Sequence, residues 1–247
     1  ASPRPSAADD WGHKLANTPT QFIFGYGSLI DTASRDATAG KPTPAIPVRV
    51  SAAFGYVRAW VDRCRCGFTA LGVRKPHPGE SAATINGVIY PVDGTDMSAF
   101  DAREQGYRRV LVPPSMIEAV SWERLPETGT VWVYVPVGPG GQPGVGLPVA
   151  SAAYPLLESY IDVVLRGGLE YGSDFAREII ATTRDWSPYW LNDRELPRRP
   201  WVFNKDYGAI DHLLSQTEPA SGDMENRLFP EPFVARNLMP QPGSPGR

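Results

Sequence analysis

Residues 21–29, QFIFGYGSL, decide how the rest of the chain is read. Aromatic and β-branched residues over 21–26 favour a short strand, and the Gly27-Ser28 pair that follows signals a tight turn. A strand that delivers Gly25, Gly27 and Ser28 into a turn exposes successive backbone N–H groups, and glycine lets a carboxylate or oxyanion approach the main chain closely. An ordinary strand-ending turn fits the same pattern. A phosphate loop does not, because the Lys-Ser/Thr ending is missing, and neither does the glycine spacing of a dinucleotide fingerprint.

Working outward, further strand signals fall at 48–61, 68–74, 84–92, 107–112 and 130–137, each bounded by Gly, Pro or Asn. Thr95 can cap a short helix over 96–105 with Met97 and Phe100 inward and Gly106 at its C-terminal stop. Residues 137–148 hold five glycines and three prolines and read as a flexible connection. Beyond it the pattern turns helical. Leu157, Ile161, Val164 and Leu165 recur at helical spacing over 154–165, Gly167-Gly168 and Gly172 separate a second helix that Ser173 can cap, and a short helix follows over 207–216. These boundaries predict a polar segment over 1–20, one domain over 21–216 with a C-terminal extension from about 184, and a proline-rich, extended or partly disordered tail over 217–247.

Composition narrows the chemistry. The chain has 247 residues, 42% of them apolar, enough to bury a core. A net charge of -3 supplies no global attraction for nucleic acid or an anionic membrane, and no run approaches the ~20 apolar residues of a spanning helix. Three histidines (His13, His77, His212) and two cysteines (Cys64, Cys66) argue against a dense metal site or disulfide scaffold. One residue separates the cysteines, a spacing that strains a disulfide within an extended strand, so two free thiols in a reducing cytoplasm are expected. The 26 prolines and 24 glycines, about a fifth of the chain against a typical share of roughly 12%, predict many turns and few long helices.

Two further residues could carry chemistry. Glu104 ends the predicted helix over 96–105, where the negative end of the helix dipole disfavours a carboxylate's charge and suits an acid or base. Arg103, Arg108 and Arg109 push the other way if they face it, and a solvated Glu paired with an Arg fits equally. Tyr160 lies among apolar neighbours, where its hydroxyl needs a partner if buried; taken alone it reads as core. The mixture of Trp186, Trp190, Trp201 and arginines over 185–201 could stack bases, but packing explains it better in an acidic chain. No Gly-x-Ser-x-Gly elbow supports a serine hydrolase.

Taken in order, these residues carry a resemblance to the γ-glutamylcyclotransferase-like family. The Phe24-Gly25-Tyr26-Gly27-Ser28-Leu29 loop resembles the family's N-terminal Tyr-Gly-Ser signature. Glu104, within Asp101-Ala102-Arg103-Glu104-Gln105-Gly106-Tyr107, resembles its acid-base Glu followed by a Gly. Tyr160, opening Tyr160-Ile161-Asp162-Val163-Val164-Leu165-Arg166-Gly167, resembles the Tyr that reaches the pocket from the C-terminal helix. The match runs over about 21–183, and residues beyond it have no counterpart.

The resemblance implies an α+β fold with a small mixed β-barrel and flanking helices around one pocket. It also implies a cofactor-free reaction that releases 5-oxoproline and a free amine from a γ-glutamyl amine or peptide. Glu104 would be the general acid/base, with Tyr26, Gly27, Ser28, Leu29 and Tyr160 binding a small γ-glutamyl substrate, and with neither nucleic acid nor membrane as partner. Fold alone does not guarantee the reaction, so the alternative is a noncatalytic small-molecule or protein-binding module that uses the extension. Residues 186–199 could form a lid or rim of the pocket, although packing alone accounts for them better.

Overall fold

The computed structural model describes residues 20–92, 97, 106–194 and 207–229. The strand that opens the chain, β1 (Gln21–Gly25), is buried along all but its first residue and lies inside a mixed sheet. Its neighbours are β5 (Ile85–Pro91), antiparallel, and β8 (Thr130–Pro136), parallel. β6 (Tyr107–Val112) flanks β8, while β2 (Ile46–Val50) and β7 (Ile117–Ala119) complete the other side. A separate hairpin, β3 (Val57–Cys64) with β4 (Phe68–Arg74), packs across β8. The architecture is mixed α+β. Among the described residues the six-stranded sheet ends at β6 and β7, so backbone pairing closes no barrel.

Close approach decides where β1 and β5 meet. A Cβ on Gly87 would lie 2.4 Å from the Gly25 carbonyl oxygen, so only glycine lets β5 pass the end of β1. After β1 the chain makes a single 3₁₀ turn (Ser28–Ile30) and enters α1 (Thr32–Ala39), capped by Asp31, whose carboxylate accepts from the Ser34 N–H at 2.8 Å. α2 (Glu158–Leu169) rests on that turn: a Cβ on Gly167 would sit 2.3 Å from the Asp31 nitrogen. The Arg166 guanidinium grips both Asp31 oxygens at 2.6 and 2.7 Å. α3 (Ser173–Thr182) packs on β5, and α4 (Tyr207–Gln216) packs on both helices.

Several boundaries differ from the sequence reading for local reasons. The predicted strand over 48–61 breaks in two, because the Ser51 side chain caps a 3₁₀ turn (Ala52–Phe54) that ends at Gly55 with φ 78°. Gly167 and Gly168 lie within α2 instead of ending it, since their missing side chains admit Asp31 and Ala176. α2 itself starts at Glu158, after Leu156–Leu157 (β9) pair in parallel with Trp190–Leu191 (β10). Gly172, at φ 103°, stands in the N-cap position expected for Ser173 and offers no side-chain cap. Residues 137–148 form a hydrogen-bonded turn, closed by Gly141 N–H on Gly138 O and Gly144 N–H on Pro136 O. Of the predicted helix over 96–105 only Met97 is described; it is buried, and Gly106 has φ 104°.

The cysteines correct another expectation. Cys64 ends β3 and Cys66 lies in the hairpin turn, where Gly67 N–H returns to Cys64 O at 3.0 Å. Chain reversal brings the Cα atoms to 5.0 Å, which an extended strand would not, and the pair forms a disulfide. Among the described residues no helix is long and apolar enough to cross a membrane.

The described part of the predicted tail is folded. α5 (Ala220–Glu225) buries Ala220, and Leu228 and Phe229 bond to the backbone of Pro188, Trp190 and Asn192. A buried ionic cluster lies beneath this segment. Arg194 makes two-pronged contacts with Asp162 (2.8 and 2.8 Å) and Asp211 (2.9 and 2.7 Å) and approaches Glu158 at 3.4 Å. Glu158 also accepts from the Trp190 indole at 2.6 Å. Burial pushes the Glu158 carboxyl up to about 7, against the opposing pull of Arg194. The folded protein therefore holds a proton that the unfolded chain releases from its ordinary 4.5 upward, so this group's contribution to stability falls as pH rises from 4.5 to about 7. Glu158→Gln should match wild type near pH 5 and exceed it near pH 8 by on the order of 1–3 kcal/mol in urea unfolding. An unchanged pH profile would refute this account.

Candidate functional site

The site is built on the turn after β1, and every carbonyl of that turn from Tyr26 to Ile30 is committed elsewhere. Gly27 and Ser28 carbonyls accept from the Ile30 and Asp31 N–H groups at 3.0 and 3.2 Å. Arg35 donates to the Leu29 and Ile30 carbonyls at 3.1 and 3.0 Å, and Arg58 donates to the Tyr26 carbonyl at 3.2 Å. Because the turn's own bonds start with Ile30, the N–H groups of Ser28 and Leu29 fall outside its ladder. The turn thus presents donors rather than acceptors.

Arg58 reaches this position from β3 with no exposure to solvent. Besides Tyr26 it donates to the Asn86 carbonyl (2.7 Å) and side-chain oxygen (2.8 Å), the Ile179 carbonyl (3.2 Å) and the Thr182 and Thr183 hydroxyls (both 2.9 Å). Burial pulls its pKa down to about 9, with the negative charge of Glu178 opposing.

Above the turn opens a cavity of about 420 Å³, within the size range of small-molecule sites. Its wall includes Tyr26, Gly27, Ser28 and Leu29 and, from elsewhere in the chain, Tyr160. The predicted residues do not all act alike. The Tyr26 hydroxyl donates to the Tyr134 carbonyl at 2.9 Å. Tyr160 rises from the first turn of α2 between Trp60 and Phe68, ring centroids 5.9 and 5.5 Å away. A Cβ on Gly27 would lie 3.1 Å from its hydroxyl, so the glycine makes room for the phenol. Burial, with the charge of Asp62 adding, pushes the Tyr160 pKa up to about 12; the Leu71 and Ser28 N–H groups and the Ser28 hydroxyl face its oxygen and pull the other way. The Ser28 amide is therefore turned to Tyr160. Glu104 lies outside the described residues, but the chain emerges two residues later, at Gly106, and Tyr107 is part of the cavity wall. Arg108 is exposed on β6, and the Arg109 guanidinium stands 5.2 Å from the centre of the Trp132 ring.

Asp62, Tyr107, Tyr134 and Arg58 were not legible as site residues. Asp62 reaches the cavity because β3 carries a bulge: Trp60 pairs with Leu71 and Asp62 with Ala70, leaving Val61 as the extra residue. The one available signal was the charges of Arg58 and Asp62 set among Val57, Ala59, Trp60 and Val61. The aromatic-arginine region is spent in packing. Trp190 is fully buried and stacks 5.5 Å from Trp186, away from the cavity wall, and Arg194 is surrounded by carboxylates. Trp201, Arg198 and Arg199 lie outside the described residues. Among the described residues no group of three or more His, Cys, Asp or Glu could hold a metal ion.

The chain is similar in structure to gamma-glutamyl cyclotransferase. The solved structure of that name gives a TM-score of 0.47 at 12% identity, covering 64% of this chain and 85% of its own. The uncharacterized protein loc79017 from Homo sapiens gives 0.46 at 12%, covering 69% and 92%. The yeast gamma-glutamyl cyclotransferase specific to glutathione gives 0.36 at 15%, covering 81% and 89%. No protein-family model and no curated protein matches the chain.

The turn makes a direct prediction about Arg58. Arg58→Met should destabilise the protein by about 3 kcal/mol or more, because it strips donors from buried acceptors. Arg58→Lys, with three donors for six acceptors, should fall between it and wild type in denaturant titration. Wild-type stability in both variants would show that Arg58 does not hold the turn.

Proposed function

We propose that the chain is a γ-glutamylcyclotransferase-type enzyme, which converts a γ-glutamyl amine or peptide into 5-oxoproline and the free amine. One observation carries the reading. The Tyr26 to Leu29 turn, Tyr160 and the strand entered just after Glu104, elements far apart in sequence, line one cavity. These are the elements whose residues carry the resemblance.

The reaction is an intramolecular acyl transfer. The substrate's α-amine attacks its own γ-carbonyl, so the enzyme has mainly to fold the substrate and move protons. In this reading the α-ammonium group first gives up one proton to solvent, and Glu104 takes a second from the attacking nitrogen as the new C–N bond forms. It returns that proton to the departing nitrogen as the old C–N bond breaks, and ends unchanged. The donor-rich turn, through Gly27 and Leu29, holds the α-carboxylate or the developing oxyanion, while Ser28 orients Tyr160 and Tyr26 shapes the wall. Nothing in these steps calls for a cofactor.

Glu104→Gln should lower 5-oxoproline release from a panel of γ-glutamyl compounds by at least about 100-fold at an unchanged melting temperature. Activity near that of wild type would refute the role of Glu104. No release by the wild-type protein from any member of the panel would favour the noncatalytic binding module instead.

A further inference from the structure

We infer that Asp62 is the cavity's ammonium-binding residue, so that the site selects ligands bearing a free α-amino group. The inference rests on the proposed γ-glutamyl reading and adds the recognition of the substrate's charged head to it.

Asp62 is the only carboxylate among the described residues of the cavity wall. Its oxygen accepts from the Tyr107 hydroxyl, a neutral donor that fixes its orientation without cancelling its charge. No cation among the described residues offsets it. The neighbouring Arg63 is turned to the Val149 carbonyl at 2.9 Å, and Arg58 points into the core. Burial pushes the Asp62 carboxyl up while Tyr107 pulls it down, the condition of an acid with no counter-charge among the described residues. A ligand cation would supply it.

The surroundings favour ammonium over a metal ion. A metal requires several ligating groups, whereas among the described residues of the wall a single carboxylate stands with Tyr107, Tyr134 and Tyr160. Aromatic rings beside a carboxylate suit an organic cation. The same cavity is lined by the turn after β1, whose donors suit a carboxylate. A wall that includes both a donor-bearing turn and an acid matches the two opposite charges of an amino-acid head.

The test uses L-glutamate and glutarate, which differ only in the α-ammonium group and contain no amine to release. Calorimetry at neutral pH should show wild type binding L-glutamate about tenfold or more tightly than glutarate, as expected for one charge-assisted hydrogen bond. Asp62→Asn should bind the two alike, and Tyr107→Phe should retain a weakened preference. Equal binding of both probes by wild type, binding of neither, or a full preference in Asp62→Asn would overturn the assignment. Equal binding of the two probes by wild type overturns the assignment even if Asp62→Asn fails to fold. Absence of 5-oxoproline release, alongside an Asp62-dependent preference for L-glutamate, would overturn the reaction and leave the ammonium site standing.

Discussion

A fully buried guanidinium can exist only where acceptors surround it, and Arg58 is the point to which much of this molecule is tied. Withdrawing such a charge from water is costly, and the drop of its pKa to about 9 records that cost. Six oxygens offset it, drawn from the turn after β1, from Asn86 on β5 and from the last turn of α3. The last of these is the negative end of a helix dipole, which welcomes a cation. One side chain thus fixes a strand, a turn and a helix relative to one another. Arg35 and the Asp31–Arg166 pair do the same for the far side of the turn. With its carbonyls engaged and the Ser28 amide turned to Tyr160, the turn is left with the N–H groups of Gly27 and Leu29 to offer a ligand.

The elements legible in the sequence are those whose cause is local. β1, β6 and β8 follow from runs of β-branched and aromatic residues. The turn and Tyr160, which line one cavity, were legible as candidates because they belong to a recognisable ordered pattern. What escaped depends on distant partners. Asp31 as a cap was visible in principle, but its bond to Arg166 spans 135 positions, and the cavity-facing placement of Asp62 depends on a bulge that no pattern of hydropathy announces. The glycines of α2 misled for the same reason: locally they break helices, yet Gly167 is required by a backbone 136 positions away.

The region beyond about 184 changes meaning in the same way. Its tryptophans and arginines, exposed on a surface, would be tools for stacking and for binding phosphate. Here Trp186 and Trp190 extend the aromatic cluster of Trp60, and Arg194 serves a ring of acids beneath α4. The backbone bonds of Leu228 and Phe229 beside β10 then secure the segment. The extension is thus tied to the core through the helix that also carries Tyr160.

The single-residue bulge in β3 sets two codes on one strand. Strand side chains alternate in facing, and an inserted residue reverses the parity of everything that follows. Up to Trp60 the strand answers to the core, where Arg58 and Trp60 tolerate little change. From Asp62 onward it answers to the cavity and to the disulfide-closed hairpin beyond. Evolution can therefore rewrite the second half, changing what the cavity accepts, without disturbing the scaffold that the first half maintains.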